Sequence, residues 1–212
     1  GDENVFFYLS PYRRSLLTFD GIRQAFDPAQ VLGARQEVQL REQDFGNFQN
    51  FEGKKREKAE RLRFGRFWYR FPNGESGADV YDRMTLFEDH LIRDINAGRF
   101  TENTNLVLIT HGLTLRIFLM RWFHWSVPQM LCVYNPDNGV PLVMERDGPD
   151  QLDDLQLVHT KGLFRLSAAS MGELRGCTEE MCVMCGDEFP VVDAELKSHV
   201  AMRLDPRGPP SP

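Results

Sequence analysis

Apolar positions along this 212-residue chain switch between a helical and a strand period. Val5–Leu9 is a short apolar run ending at Ser10-Pro11, which predicts a helix start with Ser10 as N-cap and Pro11 at the first helical position. Leu16, Phe19, Ile22 and Phe26 then recur at helical spacing. In Glu37–Arg41, Val38 and Leu40 alternate with polar residues, as in a strand. Glu52–Arg70 predicts a polar helix or lid that turns aromatic at Phe67-Trp68-Tyr69. Ser76-Gly-Ala-Asp79 has the form of a capping box, with Asp where Glu is usual. It opens the best-defined helix, with Val80, Met84, Phe87, Leu91 and Ile95 on one stripe and Gly98 as its stop.

Asn105–Thr110 is apolar at four consecutive positions, which predicts a strand buried on both faces. His111-Gly112 follows its C-terminal end, and Leu113–Phe123 reads as another helix. Val140–Met144 and Leu155–Val158 are strand candidates split by a turn at Asp147-Gly148. Strands alternating with helices imply an α/β domain with a mostly parallel sheet. From about residue 167 the periodicity fades, so the expected organisation is a domain over 1–166 and an acidic, weakly structured tail over 167–212. Within that tail a weak helix is expected at Ala194–Leu204 and a disordered end at Pro206–Pro212.

The charge distribution supports that boundary. Residues 1–146 hold 19 basic and 19 acidic side chains, whereas 147–212 hold 6 and 12, the source of the whole net charge of −6. Without a basic excess in the body, a nucleic-acid partner is not expected. The apolar runs are too short to span a bilayer, and no segment has the order of a secretion signal. Four cysteines, three of them within residues 177–185, make a poor disulfide framework. A reducing compartment, the cytoplasm, is expected. Cys177, Cys182, Cys185 and His199 could hold zinc, but only Cys182 and Cys185 have suitable spacing; free thiols and no metal are the expectation. Oligomeric state has no signature.

In open α/β sheets the site lies at the C-terminal ends of the strands. Two polar groups of residues fall there: Ser10-Pro-Tyr-Arg-Arg14 after the first strand and Thr110-His111-Gly112 after the later one. A helix start favours an anion, Arg offers a planar fork for phosphate oxygens, and His donates or shuttles a proton near neutrality. Phosphate chemistry follows. Ser10-Pro11-Tyr-Arg-Arg14-Ser-Leu-Leu-Thr18 resembles a recurrent segment of the histidine phosphatase superfamily, in the branch with the cofactor-dependent phosphoglycerate mutases. Leu40-Arg-Glu42-Gln-Asp-Phe-Gly46, Pro72-Asn-Gly74-Glu75-Ser76 and Leu106–Arg116 match further segments in the right order, over roughly residues 5–146.

The resemblance implies a three-layer α/β/α fold of the phosphoglycerate mutase type and a phosphomonoester hydrolase that needs no cofactor. Arg14 would bind the phosphoryl oxygens of a small phosphorylated substrate. Glu42 would be the general acid, and His111 would donate to the phosphoryl group. Glu75 matches a recurrent family position and is a possible site residue, with a structural role favoured over a catalytic one; Asn135 and Asn138 lie where members often place polar residues near substrate, although the turn Asn-Pro-Asp-Asn-Gly explains them at least as well. Arg13 is expected to face solvent. Family members begin with an Arg-His-Gly strand whose His becomes phosphohistidine; no Arg-His-Gly occurs here, and His90, His124, His159 and His199 lack that context. The expectation is a fragment missing its first strand and inactive alone, with the nucleophile upstream. Gln-Asp-Phe-Gly after Glu42, and only 32 residues between Glu42 and Glu75, favour a phosphatase over a mutase. The alternatives are mutase-type transfer and a non-catalytic phosphate-binding interaction module. Lys54–Arg70, with eight basic residues and two acids, is either a solvated face or a lid that attracts an anionic substrate.

Overall fold

Both faces of the first strand are apolar, and this makes it the centre of the sheet. A computed structural model describes residues 3–46, 51–146 and 160–181. β1 (Asn4–Leu9) is flanked on one side by β2 (Val31–Gln36) and on the other by β3 (Thr104–Ile109), both parallel to it. Val5, Phe7 and Leu9 point to one face and pack with Leu16 and Phe19 of α1 (Arg13–Ile22) and with Phe26. Phe6 and Tyr8 point to the other, against α3 (Gly77–Asn96) and α4 (Gly112–Trp122). Helices on both faces of a parallel sheet form the expected three-layer α/β arrangement. The capping box at Ser76 forms as predicted, with the Ser76 hydroxyl accepting from Asp79 N–H and the Asp79 carboxylate accepting from Ser76 N–H. Val80, Met84, Phe87 and Leu91 are buried along one stripe, and Gly98 leaves the helix at φ +68°.

Several local expectations are corrected. α1 begins three residues after Ser10, with Tyr12 at its N-cap, because the Ser10 hydroxyl has a tertiary partner instead. Glu37–Arg41 is not a strand; the strand precedes it as β2, and Val38–Leu40 forms one 3-10 turn that buries Leu40 and exposes Val38. β3 is not buried on both faces. It pairs only with β1 among the described residues, and Leu106, Val107 and Leu108 are half-buried. The lid region folds as α2 (Phe51–Phe64), and α5 (Val127–Cys132) follows α4.

The later strands also differ. Only Met144 of the expected Val140–Met144 run is in a strand, β4 (Met144–Arg146), which pairs antiparallel with β5 (Phe164–Leu166). Leu155–Val158 and the Asp147-Gly148 turn lie outside the described residues, as do Cys182, Cys185, His199 and the expected helix at 194–204. Residues 167–181 do not behave as a weakly structured tail. Ser167 caps α6 (Ala168–Glu173), Leu174 and Met181 join the core, and the Trp125 indole N–H donates to Met181 O. Lys161 is buried beside Glu88 on α3 and donates to it. Residues 160–181 are thereby tied to the body by both apolar and ionic contacts.

Leu174 is 1% exposed, whereas Leu86 on α3 is 65% exposed. Leu174→Ala should therefore lower the unfolding free energy in urea by about 2–5 kcal/mol, the cost of emptying a core leucine site. Leu86→Ala should stay within about 0.5 kcal/mol. Equal effects would show that 167–181 lies outside the cooperative fold.

Candidate active site

Backbone contact between two loops builds the acidic side of the site. Gly74 approaches the 44–46 loop so closely that a Cβ there would lie 2.4 Å from Asp44 O, which explains why glycine precedes Glu75. Glu75 N–H then donates to Asp44 O at 2.7 Å. The Glu75 carboxylate accepts a bidentate pair from Arg83 (Nε and Nη2, each 3.1 Å), a bond from Arg41 Nη2, and one from Asp44 N–H at 3.0 Å. The Glu75 carbonyl accepts from the Gln43 amide. Residues 41, 43 and 44 are all tied to Glu75, so the backbone around Glu42 has little freedom.

Glu42 is aimed at the start of α4. Its carboxylate accepts from Leu113 N–H and Thr114 N–H, each at 3.3 Å, and from the Thr114 hydroxyl at 3.2 Å. The unsatisfied amides and positive end of a helix suit a carboxylate. Thr114 is fully buried and also donates to Arg41 O, so it holds the same loop from the other side.

His111 is the N-cap residue of α4 and is 9% exposed. Arg14 Nε–H donates to its Nδ1 at 3.1 Å; since a guanidinium only donates, the ring proton is on Nε2. That N–H faces the hydroxyls of Ser10 at 2.7 Å and Ser15 at 3.3 Å. Burial, then the adjacent Arg14 charge, pushes the imidazole down to about 4, although Glu42 opposes the shift. His111 is a neutral imidazole near pH 7. Arg14 also lies over the Tyr12 ring at 4.9 Å, and among the described residues its Nη1 and Nη2 have no protein partner. The open end of the fork is thus available to an anion beside His111. Arg13 is exposed, as expected.

Arg14, Glu42 and His111, expected together from the sequence, do meet around the start of α4. Asn135 also reaches this region, because its amide is 2.5–3.0 Å from where a Cβ on Gly112 would sit. Asn138 is exposed in the following turn. His90 is paired with Arg35 and Asp94 instead. No sequence motif gives Thr114 or Arg116 a site role of its own, and Ser10 has the pattern of a helix cap. Arg116 donates Nη1 to Val133 O and lines a cavity with Arg61 and Arg66. Its place inside the Leu106–Arg116 segment was the available signal. No His, Cys, Asp or Glu cluster among the described residues could hold a metal.

Residues 2–150 match the histidine phosphatase superfamily (branch 1), and the chain belongs to that superfamily. It is 50% identical over 145 residues to the phosphoglycerate mutase-like protein AT74 of Arabidopsis thaliana, covering 66% of this chain and 46% of that protein. It is 30% identical over 200 residues to the broad-range acid phosphatase DET1 of Saccharomyces cerevisiae, covering 69% of this chain and 60% of that one. The chain therefore spans about half the length of the curated relatives it matches. Its fold is similar to that of a mycobacterial glucosyl-3-phosphoglycerate phosphatase solved with inorganic phosphate, with a TM-score of 0.54 at 16% identity, covering 84% of this chain and 78% of that one. No helix among the described residues is long and apolar enough to cross a membrane.

Two outcomes test the geometry. Glu75→Ala leaves Arg83 buried without its carboxylate and should cost about 3–5 kcal/mol in chemical denaturation; a loss below about 1 kcal/mol would remove Glu75 as the organiser of the loop. His111 should titrate in NMR at about 4, below its ordinary value of about 6.5. A depressed pKa of this kind contributes stability above about pH 6.5, lost as pH falls through about 4, because the unfolded chain takes up the proton first. Arg14→Ala should raise the His111 pKa, and an unmoved value would contradict the contact.

Proposed function

We propose that this chain forms most of the active site of a phosphomonoester hydrolase that works through a phosphohistidine, with the nucleophilic His supplied by sequence upstream of these 212 residues. The observation that carries the reading is the open Arg14 fork beside a neutral His111, with Glu42 held against the same helix start. Arg14 would take the phosphoryl oxygens through Nη1 and Nη2. An arriving dianion would draw Arg14 Nε off the ring and raise the His111 pKa, so that Nδ1 gains a proton and donates to the phosphoryl group. Glu42 would protonate the leaving oxygen and, in the second transfer, take the proton from the attacking water.

The upstream nucleophile is supported by residue content. His111 has both ring nitrogens engaged, and His90 is paired with Arg35 and Asp94. Neither is a candidate for in-line attack beside Arg14. The other edge of β3, which pairs with no strand among the described residues and ends next to His111, suits a further parallel strand that would bring such a group alongside. Phosphatase is favoured over mutase by the Gln-Asp-Phe-Gly run after Glu42 and by the likeness to a yeast acid phosphatase. The substrate is a small phosphorylated molecule in the cytoplasm, and no metal or organic cofactor takes part.

The test compares residues 1–212 with a chain extended upstream through an Arg-His-Gly strand. Turnover and an acid-labile phosphoenzyme should appear only with the longer chain. There, Arg14→Ala and His111→Ala should each lower kcat by at least ~10²-fold, the scale for one preorganised donor. Glu42→Gln should penalise alkyl phosphates more than aryl phosphates, whose leaving groups need little protonation. Turnover by 1–212 alone would overturn the upstream nucleophile. An inactive extended chain that still binds phosphate would instead identify a non-catalytic binding module.

A further inference from the structure

Backbone contact brings two cysteines together, and the chemistry above uses neither. Cys132 is the last residue of α5 and is exposed. Cys177 closes the turn after α6, where its N–H donates to Leu174 O at 3.0 Å. Gly176, at φ +85°, supplies the left-handed conformation of that turn, and a Cβ there would lie 2.0 Å from Cys132 O. The turn is therefore packed directly on the Cys132 carbonyl, with Cys177 one residue beyond. Consecutive Cα atoms are ~3.8 Å apart, so the Cys177 Cα lies within about 7 Å of that carbonyl oxygen. A disulfide joins Cα atoms ~4.4–6.8 Å apart.

The two segments are also held in a fixed order. Tyr134 N–H donates to Arg175 O at 2.9 Å, and the Arg175 guanidinium lies over the Tyr134 ring at 5.2 Å. Passing back from Tyr134 to Cys132, the chain meets Arg175 first and Gly176 next, in the direction of Cys177. Val133 is buried in the core, whereas Cys132 and Tyr134 on either side of it are exposed. Cys132 thus leaves the backbone away from the core, as Tyr134 does where it meets Arg175. Cys177 is half-buried against the core, and its Sγ–H donates to Thr178 O at 3.8 Å. Among the described residues no group of three metal-ligating side chains forms, so the pair is a dithiol rather than part of a metal site.

We infer that Cys132 and Cys177 form a redox-sensitive disulfide that clamps the turn after α6 to the segment leading to Asn135. The oxidant is a low-molecular-weight disulfide such as oxidised glutathione. The exposed Cys132, as thiolate, attacks one of its sulfur atoms; the S–S bond of the oxidant breaks and one glutathione thiolate leaves. The Cys177 thiolate then attacks the Cys132 sulfur of the mixed disulfide, and the second glutathione leaves. Two protein thiols lose their protons and are oxidised, one S–S bond forms, and the oxidant is reduced to two thiols. In a reducing compartment such a bond is transient and senses the thiol–disulfide balance. Its structural effect falls on residues 133–135. Arg116 Nη1 donates to Val133 O from one side, the turn holds Tyr134 from the other, and Asn135 ends against Gly112. Clamping the turn reduces the opening of this wall of the candidate site without adding a group to it.

The test uses residues 1–212 with Cys182→Ser and Cys185→Ser, equilibrated with reduced and oxidised glutathione at neutral pH. Mass spectrometry of the digest should find the 132–177 linkage. The ratio of disulfide to dithiol should be at least ~10-fold higher in the folded chain than in urea at the same glutathione ratio, because folding supplies the proximity. The disulfide then stabilises the fold by the same factor, about 1.4 kcal/mol. Oxidation should slow hydrogen exchange of the Tyr134 amide by at least ~10-fold, and Cys177→Ser should abolish that slowing. In the unsubstituted chain the 132–177 linkage should exceed every pairing of Cys132 with Cys182 or Cys185. A ratio no higher in the folded chain than in urea, mixed disulfides with glutathione alone, or a predominance of other Cys132 pairings overturns the inference. A Tyr134 amide that exchanges equally fast in both redox forms overturns the clamp.

Discussion

The carboxylate of Glu75 has to satisfy two arginines and a backbone amide at once, and the acidic half of the site depends on that constraint. Arg83 is 8% exposed and also donates to Gln39 O, so it cannot turn to water if the carboxylate is lost. The cluster joins α3 to the 39–44 loop, and Gly74 lets the two backbones touch. A buried network of this kind restricts what it encloses, and Arg41, Gln43 and Asp44, all bonded to Glu75, flank Glu42 on both sides, with Gln43 Oε1 left without a partner among the described residues. Glu42 itself makes no ion pair with an arginine among the described residues and faces amides at a helix start.

The charge pattern around that residue runs in a definite order. Arg14 and neutral His111 lie on one side, the carboxylate lies at the α4 start, and Arg116 with its arginine neighbours lies beyond Leu113. One short helix terminus therefore organises a cationic pocket, an acid and a second cationic recess. The His111 imidazole stays uncharged because burial and Arg14 both disfavour its cation. In the proposed complex a phosphate dianion would reverse that balance, which would make the protonation state of His111 a reporter of occupancy.

Much of the fold was legible because its signals are local. Ser76 and Asp79 lie three positions apart, and the stripe from Val80 to Leu91 needs only helical geometry to be recognised. The residues of the site were legible through ordered segments that resemble those of a family. What failed were places where a distant partner outweighs a local rule. Ser10 has the chemistry of a cap, but its hydroxyl meets His111, 101 positions away. Val38 and Leu40 alternate like a strand because a 3-10 turn also sends neighbouring side chains apart. Leu174 and Met181 lie where the periodicity has faded, and their burial in the core depends on tertiary contacts. The cavities that Arg61, Arg66, Arg116 and Arg175 border draw on α2, the loop after it, α4 and the turn after α6, so no single window of sequence contains them.

The most direct measurement of the central claim, that Arg14 and His111 together hold the phosphoryl group, is an NMR titration of the ¹⁵N-histidine-labelled chain with inorganic phosphate at neutral pH. Without phosphate, His111 should give the signals of a neutral ring protonated at Nε2. Saturation should convert it to the doubly protonated ring, and Arg14→Ala should abolish the change. A His111 ring that remains neutral while phosphate perturbs only the arginines around Arg116 would contradict the account.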